Sequence, residues 1–149
     1  MWEAGAYCRY VKVLTYAHRQ TTLGVTMTAT VEGPDFIALQ VRDVPAAAAF
    51  FEERLGLRRA PGGPANAAVF ATGPIPFAVR EPLPGVDLDG AGQPGLGVAL
   101  WLRTTDAPAL REQLVAAGTE GVTPLQATPF GPSFSFTGPE GYRLTVHGD

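Results

Sequence analysis

Chemistry that needs an imidazole or a thiol has little to work with in this chain. It holds two histidines, His18 and His147, and one cysteine, Cys8. A metal site or a catalytic triad is therefore limited from the outset, since a transition metal wants three or four His, Cys, Asp or Glu donors together. Ser133 and Ser135 lie in GPSFSF, which is not a nucleophile elbow, and only His147 could serve them as a base. Gly90 to Gly95 spells GxGxxG, but Pro94 interrupts it and a strand pattern follows where a dinucleotide site needs a helix. Glu52 and Glu53 are adjacent, so they do not share a helix face and read as solvated surface. Asp87 and Asp89 read the same way, or as an acidic rim for cationic ligands. What remains is a tryptophan, Trp101, a phenylalanine, Phe36, and two arginines, Arg80 and Arg103. A ring can stack on the first two, and a guanidinium can take a carboxylate or phosphate.

Elements must hold these groups. Residues 36–41 are rich in strand formers, with Ile37, Leu39 and Val41 on one face and Phe36, Ala38 and Gln40 on the other. Asp43 can cap the helix that follows, and Pro45 falls in its first turn, where a missing N–H costs nothing. Val44, Ala48, Phe51 and Leu55 form one apolar stripe, and Gly56 can end the helix in the left-handed conformation. Residues 67–72 and 75–80 read as strands around a Gly73-Pro74 turn. Residues 82–97 are half glycine and proline and read as a linker.

The second half repeats the first. GVALWLR at residues 97–103 echoes FIALQVR at residues 36–42, and Asp106-Ala-Pro-Ala echoes Asp43-Val-Pro-Ala at an offset of 63. Leu110, Leu114 and Ala117 repeat the stripe, Gly118 repeats the stop, and Phe136-Thr-Gly-Pro echoes Ala71-Thr-Gly-Pro. Two copies of so long a period point to duplication inside one domain, with the two copies joined at their sheets around a curved surface. The expected organisation is an N-terminal extension over residues 1–33, a first module over 34–82, a linker over 83–96 and a second module over 97–149. A short strand is expected at residues 10–16. Met27 offers an alternative start, while Cys8 and His18 read as solvated surface groups.

Composition narrows the partners. Hydrophobic residues make up 46% and charged residues 17%, as in a folded domain, and the net charge is -3. Lys12 is the only lysine, so no basic groove for nucleic acid is expected. No apolar run approaches the roughly 20 residues of a membrane span. A single cysteine fits a reducing cytoplasm and excludes an internal disulfide.

The segments IALQVRDVPAAAAFFEERLGL, VALWLRTTDAPALREQLVAAG and FTGPEGYRLTV resemble the glyoxalase/bleomycin-resistance, or vicinal-oxygen-chelate, superfamily over about residues 34–147. The resemblance implies an α+β fold of two tandem βαβββ modules whose curved mixed sheets form a cup. Enzymes of that superfamily hold a divalent metal with His and Glu on cup-facing strands. Matched residue by residue, those positions are Phe36, Ala78, Gly97 (give or take a residue) and Thr145, none of which binds a metal as His or Glu would. No metal and no other cofactor is therefore expected. The same parity puts Phe36, Ala38, Gln40, Ala78, Arg80, Gly97, Ala99, Trp101 and Thr145 on the inner face, with Arg103 and His147 at the cup or its rim. Trp101 and Phe36 are expected to line a pocket, the alternative being that they fill the space between the sheets. His147 reads first as a partly exposed histidine near the C-terminus. The implied function is metal-free capture of an aromatic or amphipathic small molecule, such as an antibiotic, by a homodimer. The alternatives are an enzyme of the superfamily with a displaced or absent metal, and a ligand-free structural dimer module.

Overall fold

Each half opens with a strand that hands over to a capped helix. β1 (Ile37–Gln40) leads to α1 (Val44–Leu55), and β4 (Leu100–Thr104) leads to α2 (Ala107–Ala116). These elements belong to a computed structural model that describes residues 29 and 31–148. The expected strand at residues 10–16, Cys8, His18 and Met27 lie outside the described residues. The fold forms one compact unit, Pro34–Asp149. Among the described residues, no helix is long and apolar enough to cross a membrane.

Both caps form as the sequence predicts. The Asp43 carboxylate accepts from the Ala46 N–H at 2.9 Å, and the Asp106 carboxylate accepts from the Ala109 N–H at 2.9 Å. Each satisfies one backbone donor that the helix cannot. Gly56 takes φ 68° and ends α1, with its N–H donating to Glu52 O. α2 runs one right-handed residue further, through Ala117, before Gly118 turns at φ 71°.

The strands form two sheets. The first has the order β1-β3-β2, where β2 is Ala67–Phe70 and β3 is Phe77–Arg80. The second has the order β4-β7-β6-β5, where β5 is Gln126–Thr128, β6 is Gly131–Thr137 and β7 is Arg143–Gly148. In each, the strand before the helix pairs in parallel with the last strand of its module. The second module is a full βαβββ unit. In the first, the strand after the helix shrinks to one bridge between Arg59 and Phe70. Pro61 and Pro64 bracket Gly62-Gly63 there, and a chain without those N–H groups cannot extend a ladder. β4 also starts at Leu100, three residues later than expected, because Gly95 and Gly97 turn the chain at φ 77° and 88°.

The two modules share one core on the helix side of both sheets. Phe51, Phe70, Phe77 and Val79 from the first join Leu114, Phe134, Phe136, Leu144 and Val146 from the second. Phe51 lies 4.9 Å from Phe77 and 5.7 Å from Phe70, ring centre to ring centre. Phe50 stacks on Phe136 at 6.2 Å, and Arg54 donates to Ala117 O at 2.7 Å. Among the described residues no strand of one sheet pairs with a strand of the other. The expectation that the copies join at their sheets therefore gives way to joining through helices and rings. Burying these aromatic faces removes far more apolar surface than an edge-to-edge contact would.

A second junction is polar. The Arg42 backbone N–H donates to the Glu140 carboxylate at 2.6 Å, and the Arg42 guanidinium pairs with the same carboxylate. Tyr142 Oη donates to Gln40 O at 3.0 Å. Burial pushes the Tyr142 hydroxyl above its ordinary pKa, and the Glu140 charge adds to it. The linker is tied into this junction. Leu83 N donates to Gln40 Oε1 at 2.6 Å, and Asp89 pairs with Arg42 at 2.7 Å, which raises the Arg42 pKa. Asp87 caps a turn by accepting from the Asp89 and Gly90 N–H groups. Asp87 and Asp89 thus serve the linker's own structure rather than standing only as solvated charges. Likewise Glu52, read as a solvated surface group, pairs with Arg59 at 2.9 Å.

Candidate functional site

Alternation along the second sheet sorts its residues cleanly. In β7, Leu144 and Val146 are buried in the core, while Arg143 is exposed and Thr145 and His147 are half-buried on the opposite face. Register then fixes two rows across that open face. Trp101 pairs with Thr145, which pairs with Ser135. One step along, Arg103 pairs with His147, which pairs with Ser133. The Thr145 and Ser135 hydroxyls lie 2.9 Å apart.

Three rings gather on this face. Trp101 lies 5.7 Å from His147 and 6.0 Å from Phe130, and Phe130 lies 6.4 Å from His147. Trp101 is 44% exposed and Phe130 48%. Phe130 sits in the tight turn between β5 and β6. The turn is held by Thr128 Oγ1, which donates to Gly131 O at 2.6 Å and accepts from the Phe130 N–H at 3.2 Å. Gly131 lets the turn lie against the end of β7: a Cβ there would meet Gly148 O at 2.5 Å, and its φ is 95°. The Phe130 carbonyl is 3.2 Å from His147 Nδ1. A carbonyl only accepts, so Nδ1 carries the hydrogen and a neutral ring presents Nε2 as an acceptor.

The structure thus brings together Trp101, Arg103, Thr145 and His147 and adds Phe130, which the sequence reading missed. Its one signal was an aromatic flanked by Pro129 and Gly131, at the tip of a hairpin whose neighbour strand carries the histidine. The other expected residues lie on or beside the first sheet. Ala38 pairs with Ala78 and Gln40 with Arg80. Ala78 is buried, and Gln40 has spent its amide oxygen on Leu83. Arg80 Nε donates to Glu81 O at 3.1 Å. Phe36 stands half-exposed just before β1, while Gly97 and Ala99 precede β4 outside the strand.

β1 and β4 are edge strands of their sheets. An apolar cleft of about 310 Å³ takes in residues of both, with Ile37 and Phe77 from the first module and Leu100, Trp101 and Arg103 from the second. Because β4 is an edge, Trp101 and Arg103 border both the cleft and the open face. The four positions matched to the metal ligands do not make a metal site. Ala78 and Thr145 belong to different sheets, Phe36 and Gly97 lie outside strands, and none is a His or a carboxylate. Among the described residues no three His, Cys, Asp or Glu side chains come together as a ligand set.

A family model described as Glyoxalase/Bleomycin resistance protein/Dioxygenase superfamily matches residues 33–146. No curated protein matches the chain. Solved structures do. A bleomycin-binding protein from bleomycin-producing Streptomyces verticillus, complexed with copper(II)-bleomycin, is similar at 22% identity and TM-score 0.57, covering 80% of this chain and 99% of that one. A fosfomycin resistance protein from Listeria monocytogenes aligns at 14% identity and TM-score 0.62, covering 80% and 95%. Lactoylglutathione lyase from Agrobacterium tumefaciens aligns at 18% identity and TM-score 0.55, covering 79% and 94%. At these identities the likeness carries the fold, which serves binding proteins and enzymes alike.

Proposed function

The chain belongs to the glyoxalase/bleomycin resistance protein/dioxygenase superfamily, and from that premise we propose that it is a metal-free, cytoplasmic protein that captures an aromatic or amphipathic small molecule. The observation that carries this reading is the exposed ring cluster of Trp101, Phe130 and His147 beside an apolar cleft. Such a surface stacks a planar ligand, while Thr145, Ser135 and His147 Nε2 offer hydrogen bonds that orient it. The bleomycin-binding neighbour supports small-molecule capture on this fold. Metal-assisted catalysis is the weaker reading because the matched ligand positions carry no suitable donors.

We further propose a homodimer in which a second copy completes each site. The edge strands β1 and β4, with the exposed apolar groups Phe36 and Val98 just before them and Trp101 on β4, support it. Sedimentation equilibrium is expected to give twice the chain mass, and a monomer across the micromolar range removes this part.

The test of capture is a thermal-shift screen of the full chain against planar aromatic compounds, with bleomycin included. A true ligand raises the midpoint in proportion to its affinity and concentration. Trp101→Ala is expected to lower affinity for any hit at least tenfold, about 1.4 kcal/mol. A hit whose affinity survives that change, or a screen with no hit, defeats the reading.

A further inference from the structure

The charges of this chain are sorted by element. It is net negative, with 14 acidic residues against 11 basic ones. Yet among the described residues no strand of either sheet contains an Asp or a Glu, while the strands hold Arg80, Arg103 and Arg143. The described carboxylates lie on helices, caps, turns, the linker and the segment before β1; of these Asp43, Asp106, Glu140 and Asp89 are engaged by backbone or by Arg42. Poor strand propensity accounts for few acids in strands, but it does not place arginines there.

The arginines are not equivalent. Arg80 is turned to Glu81 O, and Arg143 donates to Gly121 O at 2.8 Å. Arg103 is exposed, and its side chain makes no hydrogen bond or ion pair among the described residues. It follows Trp101 by two positions on the same face of β4, so the two side chains leave the strand about 7 Å apart. A fused ring stacked on Trp101 would reach that far. Its polar end would meet a guanidinium that is unspent among the described residues, with no strand carboxylate there to repel it. A guanidinium forks onto a carboxylate, sulfonate or phosphate far better than it tolerates a cation.

We propose that the ligand class of this site is a planar aromatic anion: a fused or extended ring bearing a carboxylate, sulfonate or phosphate, with the ring on Trp101 and the anionic group on Arg103. This deepens the capture reading above and rests on it.

The test uses the full chain carrying Trp2→Phe, so that Trp101 is its only tryptophan and reports binding by fluorescence. Three probes of one shape are titrated: naphthalene-2-sulfonate, 2-naphthol and trimethyl(2-naphthyl)ammonium. The sulfonate is expected to bind about tenfold tighter than the neutral probe, the size of one charge-assisted hydrogen bond, and the cation weakest. Adding Arg103→Gln should erase the sulfonate's advantage, and Arg103→Glu should reverse the order of sulfonate and cation. Equal binding of all three probes, or a sulfonate preference that survives Arg103→Gln, overturns the anion assignment while leaving ring capture intact. If no probe changes Trp101 fluorescence, the assignment falls together with the capture reading.

Discussion

The two modules share a plan and divide the work. In the first, the face away from the helices carries small or committed groups: Ala38, a buried Ala78 and a Gln40 whose amide holds the linker. In the second, the corresponding face carries Trp101, Arg103 and His147, with Phe130 folded against them. The helix side shows the opposite bias in α1, where Phe50 and Phe51 reach rings of both modules, while the buried residues of α2 are Ala107 and Leu114. Duplication copies the strand-cap-helix frame because backbone rules set it. The open faces then diverge freely, since no core packing constrains them.

That contrast can be broken from the core outward. Phe51→Ala removes a fully buried ring that touches Phe50, Phe70 and Phe77, and should cost about 3–5 kcal/mol in urea unfolding. Leu114→Ala, at the matching stripe position of α2, should cost less, because it leaves the ring cluster intact. Equal losses would mean that the modules share the core evenly. Next come the caps. Asp43→Ala and Asp106→Ala should each cost about 1 kcal/mol, and the double variant about their sum, since the caps lie in separate modules. A strongly non-additive double variant would show that the two caps are coupled through the shared core.

Smaller effects sharpen the division of labour. Gln40→Ala breaks the side-chain bond to Leu83 and should raise the rate of proteolytic cutting within residues 83–97, with a loss near 1 kcal/mol. Its effect on naphthalene-2-sulfonate affinity should stay below about twofold, far under that of Trp101→Ala. A large affinity loss would move the first sheet into the site. Smallest is the alkaline behaviour of Tyr142. Its folded pKa lies above the ordinary 10.0, so its contribution is present below that pH and is lost as pH rises through the folded value. Tyr142→Phe should flatten this alkaline decline in the thermal midpoint. An unchanged decline would locate it elsewhere.

Much of the frame was legible because it follows from local chemistry. Asp43, Asp106, Gly56 and Gly118 mark helix ends by hydrogen bonding and by φ, and period-two alternation put Trp101, Arg103, Thr145 and His147 on one face. Phe130 escaped because a turn residue has no period; its place depends on β5 and β6 folding back beside β7. Gln40 read as a site residue because nothing in its neighbourhood shows that a linker more than 40 residues away would claim its amide.

The sequence by itself determined two capped copies of one module, a helix stripe for each and the lack of metal-binding side chains at the matched positions, all set within a few residues by backbone hydrogen bonding, sterics and side-chain chemistry. Only the tertiary structure decided that the copies join through their helices, that Arg42 meets Glu140 and that Phe130 closes the ring cluster. Those outcomes depend on how much apolar surface each packing buries and on which distant polar groups meet, and neither is a property of any short stretch of chain.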